Sequence, residues 1–232
     1  MAKAVMFDFS GTLFHCEDAE SWLRAVLRQA GIQATEAAVR ACASRLVATG
    51  GQPGSRVDFT VPPQLASAWA RRDLNSDAHR AAYTSLIRES DLPWPGLADA
   101  LYERHAAPEA WWPYPDTVGA LELLADRAVP VVVVSNIGWD LRPVFRHHHL
   151  DHLVHGYALS FEEGTAKPDP RIFRQACELL GHAPTDVLMV GDDRVADAGA
   201  TVLGCGFRAV DHLEPSERPH ALLDVVENVT GK

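Results

Sequence analysis

An aspartate that directly follows a short apolar run and precedes a glycine turn is a rigidly aimed carboxylate. Asp8 stands this way, in Asp8-Phe9-Ser10-Gly11-Thr12 after the apolar residues 4–7. Taken alone, an Asx turn closing a strand accounts for it as well as a nucleophile does. Three other places weigh on the choice. Ser135-Asn136 follows the valine run 131–134 and offers a hydroxyl and an amide suited to gripping a phosphate oxygen. Lys167 lies in Gly164-Thr165-Ala166-Lys167-Pro168-Asp169-Pro170, between a glycine turn and two prolines. The lysines of the chain are Lys3, Lys167 and Lys232, so a solvated loop lysine is the blander account of this position and a placed charge the sharper one. Gly191-Asp192-Asp193 with Asp197 brings three carboxylates into one strand-to-helix turn. Helix N-capping explains one of them. Their mutual repulsion is costly unless a cation is shared, and all-oxygen ligation suits Mg²⁺.

The elements that must position these groups are legible as a pattern. Unalternated, Val-rich runs at 4–7, 131–134, 187–190 and 207–210, with a weaker one at 155–159, suit strands buried on both faces of a parallel sheet. Helical patterns at 117–128, 139–148, 170–180 and 195–203 alternate with them. Strand alternating with helix predicts a doubly wound α/β sheet, whose ligands bind beyond the carboxyl ends of the strands where the strand order reverses. Every polar group named above sits at such an end.

Between the first two strands the alternation breaks. Helical patterns at 19–30, 36–49, 64–74, 77–89 and 97–105 are interrupted at Gly50-Gly51-Gln52-Pro53-Gly54 and Leu92-Pro93-Trp94-Pro95-Gly96. The expected organisation is an α/β core domain of residues 1–15 and 111–232 with an all-helical cap domain, residues 16–110, inserted into it. Residues 107–116, with three prolines and Trp111-Trp112, read as the hinge that returns the chain to the core.

Hydrophobic residues make up 47% of the 232 and charged residues 22%, enough for a substantial core. A formal net charge of −10 argues against non-specific nucleic-acid binding, which needs clustered cations to displace counterions. Cys16, Cys42, Cys177 and Cys205 show no C-x-x-C spacing, which speaks against a zinc site or a disulfide framework. The N-terminal apolar run is too short for a membrane span and lacks a signal peptide's layout, so a reduced cytoplasmic setting is expected.

In this order the motifs resemble those of the haloacid dehalogenase-like hydrolase superfamily. The match lies in Asp8-x-Ser10-Gly11-Thr12, Ser135-Asn136, Lys167-Pro168-Asp169-Pro170 and Gly191-Asp192 with Asp197, and covers roughly residues 1–15 and 112–212. The resemblance implies a core of Rossmann type with a helical cap. It implies Asp8 as a nucleophile forming an aspartyl intermediate. It implies Mg²⁺ held by Asp8, the backbone carbonyl of Ser10 and Asp192, with Asp193 and Asp197 in support. Thr12, Ser135, Asn136 and Lys167 are expected to bind a small phosphorylated substrate, and Ser10, Ser135 and Lys167 to take part in catalysis with Asp8.

One position departs from the pattern. Most phosphatases of the superfamily carry a second aspartate two residues after the nucleophile as general acid and base; here it is Ser10. Such help is worth roughly 10²–10⁴-fold. A dehalogenase needs no leaving-group proton, but it leaves the Asp192-Asp193-Asp197 cluster unexplained. Phosphonoacetaldehyde hydrolase chemistry needs a cap lysine, which residues 16–110 lack. P-type ATPases, with Thr there, need membrane segments. His15 is an alternative proton carrier, more simply a loop histidine, and His79 a weaker one. Arg71, Arg72 and Arg80 either reach an anionic substrate or form a solvated helix face. The expected activity is therefore a Mg²⁺-dependent phosphatase of a small phosphorylated metabolite; the alternatives are a 2-haloacid dehalogenase-like hydrolase or a catalytically weak binder of a phosphorylated ligand or partner.

Overall fold

The computed structural model describes residues 2–54 and 59–230. Residues 1, 55–58, 231 and 232, which include Lys232 and belong to the expected core ends and cap, lie outside the described residues. The chain opens with β1 (Ala4–Phe7) and β2 (Phe14–Cys16), then runs through α1 (Ala19–Gln29), α2 (Glu36–Ala48), α3 (Ala66–Arg71), α4 (Ser76–Glu89) and α5 (Ala98–Ala106). It returns by β3 (Trp111–Pro113), α6 (Thr117–Asp126), β4 (Val131–Ser135), α7 (Arg142–His147), β5 (Gly156–Leu159) and α8 (Ser160–Glu163). It ends in α9 (Pro170–Leu180), β6 (Val187–Gly191), β7 (Gly206–Ala209) and α10 (Ala221–Thr230).

Five strands form one parallel sheet in the order β5-β4-β1-β6-β7, so the expected doubly wound α/β class holds. The valine runs are unalternated because both faces are covered. Val5, Phe7, Val131, Val133, Leu188 and Val190 share one core with Leu121, Phe145 and Leu222 from α6, α7 and α10. Ala4, Met6, Val132, Val134, Val187 and Met189 share the opposite core with Ile172, Phe173 and Ala176 of α9. From β1 the chain steps to β4 and β5 on one side, then to β6 and β7 on the other. The order therefore reverses beside β1, and the crevice at its carboxyl end is where Asp8 emerges.

Among the described residues, 19–106 contain helices and 3-10 turns and no strand. Side-chain caps start three of the helices: Asp18 accepts from Ser21 N at 2.9 Å, Thr35 from Ala38 N at 3.2 Å and Asn75 from Ala78 N at 3.0 Å. Trp22, Leu23, Val26, Leu46, Ile87 and Leu101 form a core of their own, and Trp22 Nε1 ties α1 to α5 by donating to Leu101 O at 2.9 Å.

The structure departs from the sequence pattern in five places. Residues 107–116 are no plain hinge: β3 pairs antiparallel with β2, Cys16 opposite Trp111, so both passages between sheet and helices run through one ribbon. The pattern at 139–148 shortens to α7, whose Pro143 is tolerated only in a first turn. The pattern at 64–74 breaks into α3 flanked by 3-10 turns at Pro63–Leu65 and Arg72–Leu74, and the 195–203 helix is a 3-10 stretch over Asp197–Leu203. Finally, α10 is set by a distant residue, since Asp116 Oδ2 accepts from Leu222 N at 2.6 Å.

Two histidines sit deep in this packing. His79 bonds Tyr102 Oη through Nδ1 at 2.8 Å, and His105 lies against Trp111 and Trp139. Burial keeps both imidazoles neutral, with pKa values pulled down to about 3. The unfolded chain takes up protons below about pH 6.5 that the native state refuses, so stability is full above that pH and falls by up to about 1.4 kcal/mol per pH unit per histidine as pH drops toward 3. The denaturation midpoint should therefore decline between pH 6.5 and 5, less steeply in His79→Gln. Equal slopes in the two proteins would show that His79 titrates freely in the native state.

Candidate active site

The loop after β1 is wound around a single carbonyl. The amides of Thr12, Leu13 and Phe14 all point at Phe9 O, at 3.4, 3.0 and 2.9 Å, while Asp8 N continues the sheet ladder to Val190 O at 2.9 Å. Gly11 makes the turn with φ +83°, where a Cβ would collide with the Asp192 carboxylate and the His212 ring. Arg218 braces the loop from the C-terminal segment: Nη1 donates to Gly11 O at 2.7 Å, Nη2 donates to Thr12 O, and its guanidinium lies 3.6 Å from the Tyr114 ring centroid. The result is a fixed carboxylate at the end of the central strand.

Lys167 Nζ stands 2.6 Å from Asp8 Oδ1 and 2.6 Å from Asp197 Oδ1, with all three side chains buried. Burial pushes the Asp8 carboxyl upward, against the pull of the ammonium, and the charges of Asp197 and Asp192 push the same way. The two carboxylates outweigh burial at Lys167 and keep it protonated well above the ordinary lysine range. Asp197 spends its other oxygen on Asp193 N at 2.9 Å, and Gly191 leaves the space that this carboxylate fills. Asp193 in turn accepts from Val195 N and Ala196 N at 2.8 and 2.9 Å.

Asp8, Asp192 and Asp197 each bring a carboxylate oxygen within 4.8 Å of the other two. Hard oxygen donors at this spacing, carrying more negative charge than one lysine offsets, fit Mg²⁺. Both oxygens of Asp197 hold short contacts, at 2.6 and 2.9 Å, whereas Asp8 Oδ2 has only the 3.4 Å contact with Thr12, so Asp8 and Asp192 are the better placed donors for a cation. Asp192 is oriented by His212 Nδ1 at 3.0 Å.

A cavity of about 170 Å³ opens on Asp8, Ser10, Ser135, Asn136, Lys167 and Asp192, so the structure gathers these expected residues in one place. Two residues expected to hold phosphate, one of them in this lining, make contacts within the protein. Asn136 was expected to bind phosphate, but its amide clamps the Lys167 backbone, accepting from Lys167 N at 2.7 Å and donating to Lys167 O at 2.9 Å. Thr12, also expected to bind phosphate, is fully buried outside the cavity lining and points its hydroxyl at Asp8 Oδ2, 3.4 Å away. His15 faces a separate opening of about 630 Å³ beside the ribbon, packs on Tyr114, and does not line the Asp8 cavity. His79 is buried against Gly138. Arg71 bonds Ser67 and Arg80 pairs with Asp99 and Glu103 on the outside, whereas Arg72 lines a second cavity, of about 330 Å³, that shares Ser10, Asp192 and Asp193 with the first.

His212 and Arg218 escaped the sequence reading. His212 follows Asp211 at the end of the last valine-containing run, so the rule that found the other groups applied to it as well. Arg218 carries no such signal, because the loop carbonyls it holds, those of Gly11 and Thr12, lie 207 and 206 residues away.

The family model of haloacid dehalogenase-like hydrolases matches residues 2–201. The chain belongs to this family. A phosphoglycolate phosphatase of Neisseria gonorrhoeae is 27% identical over 88% of this chain and 77% of its own length. A haloacid dehalogenase-like hydrolase domain-containing protein 3 of Danio rerio is 35% identical over 44% of this chain and 42% of its own. With that protein and two further curated relatives, the matched stretch covers 42%, 36% and 48% of the relative's length, under half in each case. Among solved structures, a dehalogenase with an intermediate complex superposes with a TM-score of 0.70 at 21% identity, over 100% of this chain and 98% of that one. A phosphatase from Thermococcus onnurineus gives 0.56 at 24% identity, over 90% and 86%. Both show the same fold.

Removing the ammonium would leave two buried carboxylates facing each other. Lys167→Met should cost about 3–5 kcal/mol in chemical denaturation at neutral pH. Adding Asp197→Asn should recover part of that loss, because one of the stranded charges goes with it. A double variant no more stable than Lys167→Met would place the cost in lost packing instead.

Proposed function

We propose that the chain is a Mg²⁺-dependent phosphatase of small phosphate monoesters that works through a phosphoryl-aspartate on Asp8. The observation that carries this reading is the contact of Lys167 Nζ with Asp8 at 2.6 Å, beside Asp192, at the reversal point of the sheet. The similarity to a phosphoglycolate phosphatase, over 88% of this chain and 77% of that one, supports it. A bound Mg²⁺, held by Asp8, Asp192 and the backbone carbonyl of Ser10, would supply positive charge to the phosphoryl oxygens. An Asp8 oxygen attacks phosphorus and the bond to the leaving oxygen breaks. Lys167 and the Ser135 hydroxyl hold and neutralise the equatorial oxygens. Water then attacks the acyl phosphate, releasing inorganic phosphate and restoring Asp8. Asn136, Asp197 and Arg218 hold the reacting groups in place.

The helical segment within 19–106, among the described residues, serves as the cap over this site and the β2–β3 ribbon as its stem. Cap closure expels water and brings the 330 Å³ cavity over Asp8. The dehalogenase alternative shares the fold but gives no use to Asp192. Hydrolysis of p-nitrophenyl phosphate that requires Mg²⁺ and vanishes in Asp8→Asn supports the phosphatase reading. Metal-independent release of halide from 2-haloacids would replace it.

Ser10 is half-buried and lines both cavities, with room beside its hydroxyl because Gly54 carries no side chain. A serine hydroxyl neither protonates a leaving alkoxide nor deprotonates water effectively at neutral pH. Ser10→Asp should therefore raise hydrolysis of alkyl phosphates, by up to roughly 10²–10⁴-fold, and raise that of p-nitrophenyl phosphate much less. If breakdown of the phosphoryl-aspartate limits turnover, the native protein shows a product burst that the substitution removes. His15→Ala should leave these rates near the native ones, since His15 lies outside the Asp8 cavity. A severe loss in His15→Ala with no gain from Ser10→Asp would assign the proton to His15.

A further inference from the structure

We infer that Arg72 reads a second oxyanion on the substrate, so that the preferred ligand is a phosphate monoester of a small carboxylic acid; this rests on the phosphatase reading above. The 330 Å³ cavity has two unlike walls. Its core side carries Ser10, Asp192, Asp193 and His212, and its helical side carries the aromatic rings of Trp69 and Tyr83 with Arg72 between them. Arg72 is the one arginine or lysine among the described lining residues. Ser10, Asp192 and Asp193 also line the Asp8 cavity, so the space over the reacting group runs on toward this guanidinium.

The guanidinium is held flat before any ligand arrives. It lies 4.0 Å from the Trp69 ring centroid, Nη1 donates to Trp69 O at 2.9 Å, and Nη2 meets Asp73 Oδ2 at 3.0 Å. These contacts fix its plane without using up the five N–H donors of the fork. Asp73 is itself anchored, because its carbonyl accepts from the Ser160 hydroxyl, whose oxygen in turn accepts from Ile137 N at 2.8 Å. Ile137 and Ser160 stand at the ends of β4 and β5, so Arg72 is referenced to the same sheet edge as Lys167. A flat, pre-oriented fork matches a planar carboxylate in two parallel hydrogen bonds, and the aromatic walls reduce competition from water.

Charge balance points the same way. The acidic floor repels any anion not neutralised locally. Lys167 and a bound cation serve the phosphoryl group; a second negative group needs N–H donors on the opposite wall, and the Arg72 fork has them to spare although Asp73 shares its charge. Arg71 and Arg80 point elsewhere, so position 72 is the one of the three that meets this need.

The test compares 2-phosphoglycolate with ethyl phosphate, which match in size and leaving group and differ in the carboxylate. In the Mg²⁺-loaded native protein, kcat/KM should favour 2-phosphoglycolate. In Arg72→Gln that preference should collapse by roughly 10- to 100-fold, mainly through KM for 2-phosphoglycolate. Arg72→Lys, which keeps the charge and the pair with Asp73 but loses the fork, should restore part of it. A native protein indifferent to the carboxylate, or equal losses on both substrates in both variants, would overturn the inference and leave Arg72 as a prop of its turn. Should the native protein turn over neither alkyl phosphate, the phosphatase reading is judged on p-nitrophenyl phosphate and this one is decided separately, by calorimetry on Asp8→Asn. There, 2-phosphoglycolate should bind more tightly than ethyl phosphate and Arg72→Gln should erase the difference; equal binding would refute it.

Discussion

A lysine ammonium buried between Asp8 and Asp197 is the constraint around which the rest of the site is arranged. Neither carboxylate tolerates burial alone, and neither does the ammonium. The three therefore have to arrive together, from the end of β1, the loop before α9 and the turn after β6. Each of those segments is secured by a separate device: Arg218 on the carbonyls of Gly11 and Thr12, Asn136 on both sides of the Lys167 peptide, and Asp193 on the turn that carries Asp197. Buried ion pairs add little net stability, so their value here lies in geometry. A point charge held 2.6 Å from a carboxylate oxygen is a preorganised electrostatic field.

The parallel sheet is what makes that convergence possible. All five strands point the same way, so five carboxyl ends share one edge, and the reversal of order beside β1 opens a crevice there. Two hydrophobic layers clamp the sheet and leave its strands little freedom to shift register. Rigidity in the floor contrasts with the helical segment above it, which has its own core and joins the sheet edge through a two-stranded ribbon and a few polar contacts such as Ser160 with Asp73. A rigid floor and a separately packed roof suit a site that admits substrate and then excludes water.

Residue 10 shows how this family's framework can be kept while one part of the chemistry changes. Its backbone lies in the tight turn set by Gly11 and Arg218, so the course of the loop does not depend on the side chain. The side chain alone decides whether a proton can be delivered. On the phosphatase reading, a serine here would change rate and leaving-group preference and leave the fold and the charge pattern intact.

Much of this was legible in the sequence. The sheet follows from valine runs that do not alternate, since only strands buried on both faces read that way. Asp8, Ser135, Lys167 and Asp192 were found because each follows such a run or a glycine turn, and local pattern is enough to place a residue at a strand end. Side-chain caps such as Asp18, Thr35 and Asn75 likewise announce helices within a few residues of themselves. What the sequence did not determine is which polar atoms spend their hydrogen bonds on each other. Asn136 and Thr12 carry groups that suit a phosphate, yet one clamps a lysine backbone and the other is buried behind a carboxylate. The β2–β3 ribbon, the Asp116 cap on α10, the His212–Asp192 contact and the place of Arg72 over the acidic floor all join residues far apart in the chain. Their partners are chosen by packing, which has no period along the sequence, and so only the tertiary structure decided them.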